Sequence, residues 1–288
     1  MAGDFHNHQA LRTLPAVVPS TERLYSSTTK SNESTISQVQ PEKSGQKFQE
    51  FNLTDRVYVV TGGARGLGLT LAEALVEAGG HVYCLDRLPE PSEAFLATQQ
   101  KLSQAYQGSL HYRRIDVQDV TDLNAVIADI ATKHSRLDGL VAAAGIQNVC
   151  PALDYPVEKI EEMMRVNYTG VYCTAVACAK QMIKYKTPGA MCLIGSMSGL
   201  ITNKGLLCSV YNSSKAAVIQ LGRSLAMEWG VMKEFDEVAI GSERTRVPGC
   251  NVRNRGIRVN VLCPGNILTP VSRTTRDTKW QVWLIALI

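Results

Sequence analysis

Short apolar runs alternate with longer amphipathic stretches between about residues 55 and 265 of the 288-residue chain. The apolar runs are RVYVVTG, HVYCLD, LHYRRID, DGLVAAAG, AMCLIGS and IRVNVLCPG. Between the first two, LTLAEALVEAGG places Leu71, Leu75 and Ala78 on one helical face. This alternation predicts an α/β fold with parallel strands joined by helical crossovers, and the continuously apolar runs predict a sheet covered on both faces.

The pattern also divides the chain into a domain and two tails. Residues 1–52 are polar without a sustained period and are predicted to form a disordered tail. Arg12, Arg23 and Lys30 among serines and threonines weakly suggest a mitochondrial transit peptide, but Asp4 and Glu22 argue against it. We therefore expect a cytoplasmic protein, with a mitochondrial location as the alternative. The domain is predicted to span residues 53–270, followed by an irregular tail at 271–288.

One segment interrupts the domain. Residues 231–254 separate a predicted helix from a predicted strand, although such links usually take about 2–6 residues. Deleting the segment leaves MEWGRGIRVNV, an ordinary helix-to-strand connection. Our hypothesis is that this insertion and the residues after about 269 do not descend from the folding template, as a retained intron and a shifted reading frame would produce. A neutral surface loop and a functional insertion are the alternatives.

Composition excludes several classes of protein. The formal net charge is +4, from 30 basic and 26 acidic residues, and no basic stripe predicts nucleic-acid binding. The longest apolar run, 282–288, is too short to span a membrane. The eight cysteines include no C-x-x-C pair and the histidines show no metal-ligand spacing, so we predict reduced thiols and no metal site.

A glycine-rich turn follows the first predicted strand. In VVTGGARGLGLTLAEAL, Thr61, Gly62, Gly66 and Gly68 lie where the strand meets a helix. Glycines permit a tight turn whose N–H groups approach a pyrophosphate at the helix N-terminus. The pattern predicts a dinucleotide site.

An acidic residue ends the second predicted strand. Asp86 is placed to bond a ribose 2′-hydroxyl and to repel a 2′-phosphate, which favours NAD. Arg65 in the turn and Arg87 after the aspartate could instead bind a 2′-phosphate. NADP therefore stays open as the alternative cofactor.

Candidate chemistry follows the fifth predicted strand. Tyr211 and Lys215 in YNSSK lie four residues apart on one helical face, where an ammonium favours the phenolate of its neighbour. Ser196 ends the strand in IGSMSG, at the sheet edge where open α/β sheets bind ligands. Ser198 is the rival serine.

These motifs together resemble the short-chain dehydrogenase/reductase family from about residue 54 to 270. The matching positions, in chain order, are Thr61-Gly62-x-x-x-Gly66-x-Gly68, Asn167, Ser196, Tyr211-x-x-x-Lys215 and Pro264-Gly265. The resemblance implies a Rossmann-type doubly wound parallel sheet in three αβα layers. It also implies an NAD(P)-dependent oxidoreductase that interconverts a secondary alcohol and a ketone by hydride transfer.

The resemblance implies a role for each matched residue. Tyr211 would be the general acid/base, Lys215 would lower its pKa and hold the nicotinamide ribose, and Ser196 would bond the substrate oxygen. Asn167 would anchor a water in the proton relay. Further cofactor contacts would come from the glycine turn and the later strand ends: Arg65, Leu67, Asp116, Val117, Ala143, Gly145, Pro264, Gly265, Ile267 and Thr269.

Two departures from the family pattern are visible. Ala142-Ala143-Ala144-Gly145 stands where the family usually has Asn-Asn-Ala-Gly. The family also continues beyond Thr269 with a substrate-covering segment, a helix and a last parallel strand, which this chain is predicted to lack. An inactive cofactor-binding remnant is therefore the main alternative function, and a nucleotide-sugar epimerase is a weaker one.

The resemblance extends to substrate and assembly. The Ser196-to-Tyr211 separation and SMSGLITN resemble the branch of sorbose or xylulose reductases and mannitol or arabinitol dehydrogenases. Family members commonly pair through the two long helices, here 157–185 and 211–230. We therefore expect a small alcohol or ketone substrate and a homo-oligomer.

Overall fold

The computed structural model describes residues 51–230, 238–240, 243–245, 256–267 and 284–285. The predicted tail at 1–52 falls outside this part of the chain except for its last two residues. Most of the predicted insertion at 231–254 and of the tail at 271–288 also falls outside it. The hypotheses on these segments remain predictions.

Nine strands occur in the described residues. They are β1 (Val57–Thr61), β2 (His81–Asp86), β3 (Ser109–Arg114), β4 (Gly139–Ala142), β5 (Ala190–Ile194), β6 (Val238–Ile240), β7 (Glu243–Thr245), β8 (Arg258–Pro264) and β9 (Leu284–Ile285). The main sheet has the order β3-β2-β1-β4-β5-β8-β9. Its first six strands are parallel, which confirms the predicted α/β sheet.

Helices cover both faces of this sheet. They are α1 (Gly66–Glu77), α2 (Glu93–Ala105), α3 (Val120–His134), α4 (Val157–Met164), α5 (Val171–Lys184) and α6 (Ser209–Trp229). Successive strand side chains point to opposite faces. Val57 and Val59 of β1 therefore join a core with α3, α5 and α6, whereas Tyr58 and Val60 join a second core with α1 and α2. These two cores confirm the three-layer arrangement. Among the described helices, none has the length and apolar character needed to cross a membrane.

Two short features differ from the sequence prediction. Leu284–Ile285 pairs antiparallel with β8 at Cys263 and Pro264, although an irregular tail was predicted there. A strand this short leaves no alternation to detect, and the edge of β8 offers unpaired backbone groups to any neighbouring segment. Within the predicted insertion, β6 and β7 form an antiparallel pair.

A buried carboxylate joins β1 to β4. Asp138, which is 3% exposed, accepts a hydrogen bond from the Val57 N–H at 2.8 Å. Arg136 donates two more, at 2.8 and 2.7 Å, so the buried charge is paired. Because this bridge fixes the amino ends of the two strands, their carboxyl ends also align.

The carboxyl ends of β1 and β4 mark the point where the sheet changes direction. From β1 the chain adds β2 and β3 on one side and then returns to add β4 on the other. In open α/β sheets, the connections diverge at such a point and leave a crevice that binds ligands. The predicted site residues follow these strand ends.

A cluster of aromatic and imidazole side chains covers the opposite, amino-end half of the β2–β3 edge. The Tyr83 hydroxyl and His134 Nε2 are 2.8 Å apart, and the Tyr83 ring stacks on His111 with 4.6 Å between centroids. The Ser109 hydroxyl lies 2.8 Å from both His81 Nδ1 and His111 Nε2. The cluster therefore joins the edge strand β3 to the end of α3.

Burial lowers the pKa of both His111 and His134 from the usual histidine range. The positive charge of Lys133 adds to the effect at His111, and that of His81 adds to it at His134. A histidine whose folded-state pKa is depressed binds protons more readily in the unfolded chain. Its stabilising contribution is therefore present at neutral pH and is lost as the pH falls below the unfolded pKa of about 6.5.

We expect the free energy of unfolding to decrease between about pH 7 and pH 5. His111→Gln should make this decrease shallower, because it removes one group that binds protons mainly in the unfolded state. Urea unfolding over a pH series measures both slopes. The exposed Ser103→Ala variant should keep the wild-type slope, and an unchanged slope in His111→Gln would contradict the assignment.

Candidate active site

The turn between β1 and α1 has the backbone conformation that its glycines predict. Gly62 and Gly66 have φ angles of 67° and 57°, in the left-handed region that other residues avoid. A Cβ at Gly68 would lie 2.2 Å from the Gly62 carbonyl oxygen. The helix therefore approaches the turn this closely only because residue 68 has no side chain. Arg65 is exposed at the helix start and Leu67 is half-buried.

This turn fits the pyrophosphate of a dinucleotide. The N-terminal N–H groups of α1 have no intrahelical acceptor, and the Arg65 side chain at the N-cap position does not bond them. Thr61 ends β1, and its hydroxyl accepts a hydrogen bond of 3.3 Å from the Ala144 N–H. The tip of the β4 loop is thus joined to the end of β1.

Asp86 lies at the end of β2 beside the glycine turn. Its Oδ2 accepts a hydrogen bond from the Ala64 N–H at 3.1 Å, and its Oδ1 accepts one from the Leu88 N–H at 3.3 Å. Two backbone donors therefore fix a partly exposed carboxylate next to the turn. This position fits a ribose hydroxyl.

A cavity of about 370 Å³ opens at the carboxyl ends of β2 and β3. It is lined by Arg87, Arg114, Ile115, Asp116, Asp119 and Asp122. Sequence reasoning found Arg87 and Asp116 but missed Arg114, which pairs in register with Asp86. Only the pairing register of β2 and β3 places Arg114 beside Asp86, and no sequence motif encodes that register. Val117 is buried, and a Cβ at Gly170 would come within 2.7 Å of it.

The loop after β4 is held by Asn167. The Asn167 amide accepts a hydrogen bond from the Ile146 N–H at 2.8 Å and donates one to the Ile146 carbonyl at 2.9 Å. It donates another to the Ser214 hydroxyl on α6 at 3.0 Å. A Cβ at Gly145 would lie 3.3 Å from Asn167 Oδ1 and 3.4 Å from Lys215 Nζ. Gly145 therefore lies close to both Asn167 and Lys215, while Ala143 packs against the hydrophobic core. Sequence reasoning missed the contributions of Ile146 and Ser214.

A local change of helix type places Asn167. The sequence pattern predicts one long helix over 157–185, but residues Arg165–Gly170 form a π-helical turn between α4 and α5. A π turn adds a residue to the helical repeat and redirects the side chains it contains, often at functional sites. Asn167 is fully buried within it.

Ser196, Tyr211 and Lys215 meet beside the end of β5. The Ser196 side chain lies close enough to Tyr211 to lower the pKa of its phenol. Lys215 Nζ donates to the Ile194 carbonyl at 2.8 Å and lies 5.8 Å from the centre of the Tyr211 ring. Ser198, the rival serine, instead accepts a hydrogen bond from the Asn203 amide at 2.6 Å. The fold thus brings together the residues that the motifs predicted.

Burial determines the charge states of this group. It raises the pKa of Tyr211, and the neighbouring Ser196 side chain acts in the opposite direction. It lowers the pKa of Lys215 to about 8. At neutral pH the phenol therefore carries its proton, while the amine is mostly charged.

The remaining residues of the predicted cofactor site follow β8. Pro264 is the last residue of the strand, and Gly265 and Ile267 continue from it. Thr269 lies outside the described residues. In this part of the chain, no group of three or more His, Cys, Asp or Glu side chains is arranged to hold a metal ion.

The sequence matches a known family over most of this region. Residues 56–242 match the family model described as short chain dehydrogenase. The chain belongs to the short-chain dehydrogenase family. The glycine turn, the carboxylate of Asp86 and the Tyr211–Lys215 pair therefore lie in a dehydrogenase.

Several characterised relatives resemble this dehydrogenase along most of their length. A short chain dehydrogenase/reductase of Aspergillus versicolor is 37% identical, covering 77% of this chain and 70% of the relative. A galactitol 2-dehydrogenase of Rhizobium johnstonii is 36% identical, covering 82% of each. An NADH-dependent L-xylulose reductase of Ambrosiozyma monospora is 32% identical, covering 81% and 80%. The solved structure of a short-chain type dehydrogenase/reductase from Mycobacterium marinum, 31% identical, superposes with a TM-score of 0.58 over 62% of this chain and 70% of that one.

These comparisons identify the reaction class. The dehydrogenase is an NAD(P)-dependent oxidoreductase that interconverts an alcohol and a ketone. The comparisons do not favour the alternative function, an inactive cofactor-binding remnant.

We expect Gly68→Ala to lower the free energy of unfolding by about 1–3 kcal/mol and to weaken NADH binding, because the new methyl group overlaps the Gly62 carbonyl. Gly205→Ala is the matched control. Gly205 also has a positive φ, 83°, but a Cβ there meets nothing within 4 Å. The control should lose some stability and keep its NADH affinity. Chemical unfolding and fluorescence titration measure the two effects, and tight NADH binding by Gly68→Ala would contradict the expected overlap.

Proposed function

We propose that Tyr211 is the general acid/base of this dehydrogenase. The contact that carries the proposal is the meeting of Tyr211, Ser196 and Lys215 at the carboxyl end of β5. In ketone reduction the Tyr211 hydroxyl gives its proton to the substrate oxygen, and in alcohol oxidation it takes that proton back. NAD(P), when bound, supplies or accepts the hydride.

Ser196 and Lys215 prepare Tyr211 for this transfer. The Ser196 hydroxyl donates a hydrogen bond to the substrate oxygen and polarises the carbonyl. The charged Lys215 favours the phenolate electrostatically, which counters the effect of burial. Without that charge, a buried phenol would hold its proton too strongly to act as a base at neutral pH.

Asn167 acts by positioning. Its amide bonds both backbone groups of Ile146 and the Ser214 hydroxyl, so it fixes the β4 loop against the helix that carries Tyr211. The water that the family resemblance places on Asn167 remains a prediction.

For the cofactor we propose NAD. The carboxylate of Asp86 is fixed by the Ala64 and Leu88 N–H groups, so it cannot swing away from a 2′-phosphate without losing both bonds. The arginines Arg87 and Arg114 line the adjacent cavity and favour the alternative, NADP. We rank the aspartate higher because it lies where the ribose hydroxyls are expected.

For the substrate we propose a polyol and the corresponding ketose. The support is the resemblance of the 196–211 segment to that branch, together with the activities of two relatives, the galactitol 2-dehydrogenase and the L-xylulose reductase. We also propose a homo-oligomer formed through α4, α5 and α6. These helices expose Val157, Tyr172 and Met227, whose burial between subunits would be favourable.

We expect Tyr211→Phe to lower kcat by about 10²–10⁴-fold in a screen of polyols with NAD and ketoses with NADH. The phenylalanine keeps the ring and removes only the proton donor, so NADH affinity should stay near that of the wild type. Tyr172→Phe, an exposed tyrosine on α5, is the control and should keep full turnover. Substantial turnover by Tyr211→Phe would exclude the proposed acid/base role.

Asp86→Ser should strengthen NADPH binding by about fivefold or more, since even a water-screened close charge repulsion is worth about 1 kcal/mol. NADH binding should weaken, because a serine replaces the carboxylate acceptor. Asp119→Ser removes a carboxylate from the cavity adjacent to Asp86 and should leave the NADH/NADPH ratio almost unchanged. Titration with both cofactors measures the ratio; a wild-type preference for NADPH would reverse the cofactor assignment.

A further inference from the structure

Two cysteines lie where the loop after β4 is hydrogen-bonded to the start of α6. Cys150 belongs to the loop after β4, and Cys208 immediately precedes α6, the helix of Tyr211. The Cys150 N–H donates a 2.9 Å hydrogen bond to the carbonyl of Leu207, the neighbour of Cys208. In a planar trans peptide the carbonyl oxygen of Leu207 lies about 2.8 Å from the Cα of Cys208. Adding the hydrogen bond and the N–Cα bond of Cys150 to this distance puts the two cysteine Cα atoms at most roughly 7 Å apart. Beyond about 7 Å a disulfide cannot form without backbone movement.

The side chains of the two cysteines share one small region. The Cys208 thiol donates to Asn212 Oδ1 at 3.0 Å, and the Cys150 thiol lies 3.6 Å from the Asp154 carbonyl. Both sulfurs lie near enough to the Tyr155 hydroxyl to raise its pKa, after the larger effect of burial. That hydroxyl is itself buried without a hydrogen-bond partner among the described residues.

Access differs between the two thiols. Cys150 is half-buried, whereas Cys208 is 1% exposed. An oxidant therefore reaches Cys150 first, and Cys208 lies behind it as the second thiol. Two other cysteines of the described residues are half-buried, Cys173 on α5 and Cys192 on β5. For neither of them does a described backbone hydrogen bond outside the helices and strands bring a second cysteine close.

We propose that Cys150 and Cys208 form a reversible disulfide that cross-links the β4 loop to the start of the Tyr211 helix. With hydrogen peroxide as oxidant, the Cys150 thiolate attacks one peroxide oxygen, the O–O bond breaks, and a sulfenic acid and water form. The Cys208 thiolate then attacks that sulfur, the S–O bond breaks, and a second water leaves. The two sulfurs together lose two electrons, which reduce the peroxide, and a dithiol reductant restores both thiols.

The cross-link would alter catalysis by shifting the β4 loop and α6 relative to each other. The β4 loop is already attached to Asn167 through Ile146, and α6 carries both Tyr211 and Lys215. Oxidation also removes the thiol donor from Asn212, the residue after Tyr211. A displacement of about 1 Å at a reacting group can cost roughly 100-fold in rate, so we expect at least about a tenfold loss of kcat/KM.

Peptide mapping under non-reducing conditions tests the link directly. The full-length protein is treated with hydrogen peroxide and digested, and its peptides are compared before and after dithiothreitol. We expect a peptide that joins Cys150 to Cys208 and lacks two hydrogen atoms. Its absence, with both thiols free or individually over-oxidised, would overturn the proposal whether or not the protein is an active polyol dehydrogenase.

Activity before and after peroxide supplies the second readout. Wild type and the matched control Cys173→Ser should lose activity on oxidation and regain it with dithiothreitol. Cys150→Ser and Cys208→Ser should each retain the activity they had before treatment. Equal, reversible inactivation of Cys150→Ser would place the sensitive thiol elsewhere and overturn the regulatory part of the proposal.

Discussion

The side-chain amide of Asn167 connects the three segments on which the proposed catalytic centre depends. It bonds both backbone groups of Ile146 after β4, it lies within the π turn before α5, and it reaches Ser214 on α6. The amide is fully buried, so each of these bonds replaces one that water would otherwise make. Ser214 lies between Tyr211 and Lys215 on the same helix. Disturbing the amide would therefore shift the β4 loop and the catalytic helix together.

Burial then sets the chemistry of the residues that this framework positions. The same desolvation raises the pKa of the Tyr211 phenol and lowers that of the Lys215 amine to about 8, because both charged forms lose water. The two effects oppose proton loss from tyrosine and favour it from lysine. The Ser196 hydroxyl and the Ile194 carbonyl offset this cost, since one stabilises the phenolate and the other accepts from the ammonium. The proposed acid/base chemistry therefore requires a buried site that still contains partners for its charges.

Much of the fold could be predicted from periodicity, and the described catalytic residues from their order along the chain. The parallel strands were recognisable as short runs rich in apolar residues, although the edge strand β3 ends in two exposed arginines. Gly62, Gly66 and Gly68 marked the first turn. The π turn at Asn167 escaped prediction because a helix containing one extra residue keeps an amphipathic pattern. Arg114 escaped because its place beside Asp86 follows from strand register, and β9 because two residues carry no period.

The sequence by itself determined the layered α/β fold and the glycine turn, and it predicted the group formed by Ser196, Tyr211 and Lys215. These follow from local rules: apolar period, the conformational freedom of glycine and the spacing of side chains on a helix. Only the tertiary structure decided which serine contacts Tyr211, how Asn167 reaches α6, and that Cys150 lies beside Cys208. Those pairs are separated by 15 to 58 residues along the chain, as their positions in the sequence show. Their contacts arise from the packing of loops at one sheet edge, and no local pattern records that packing.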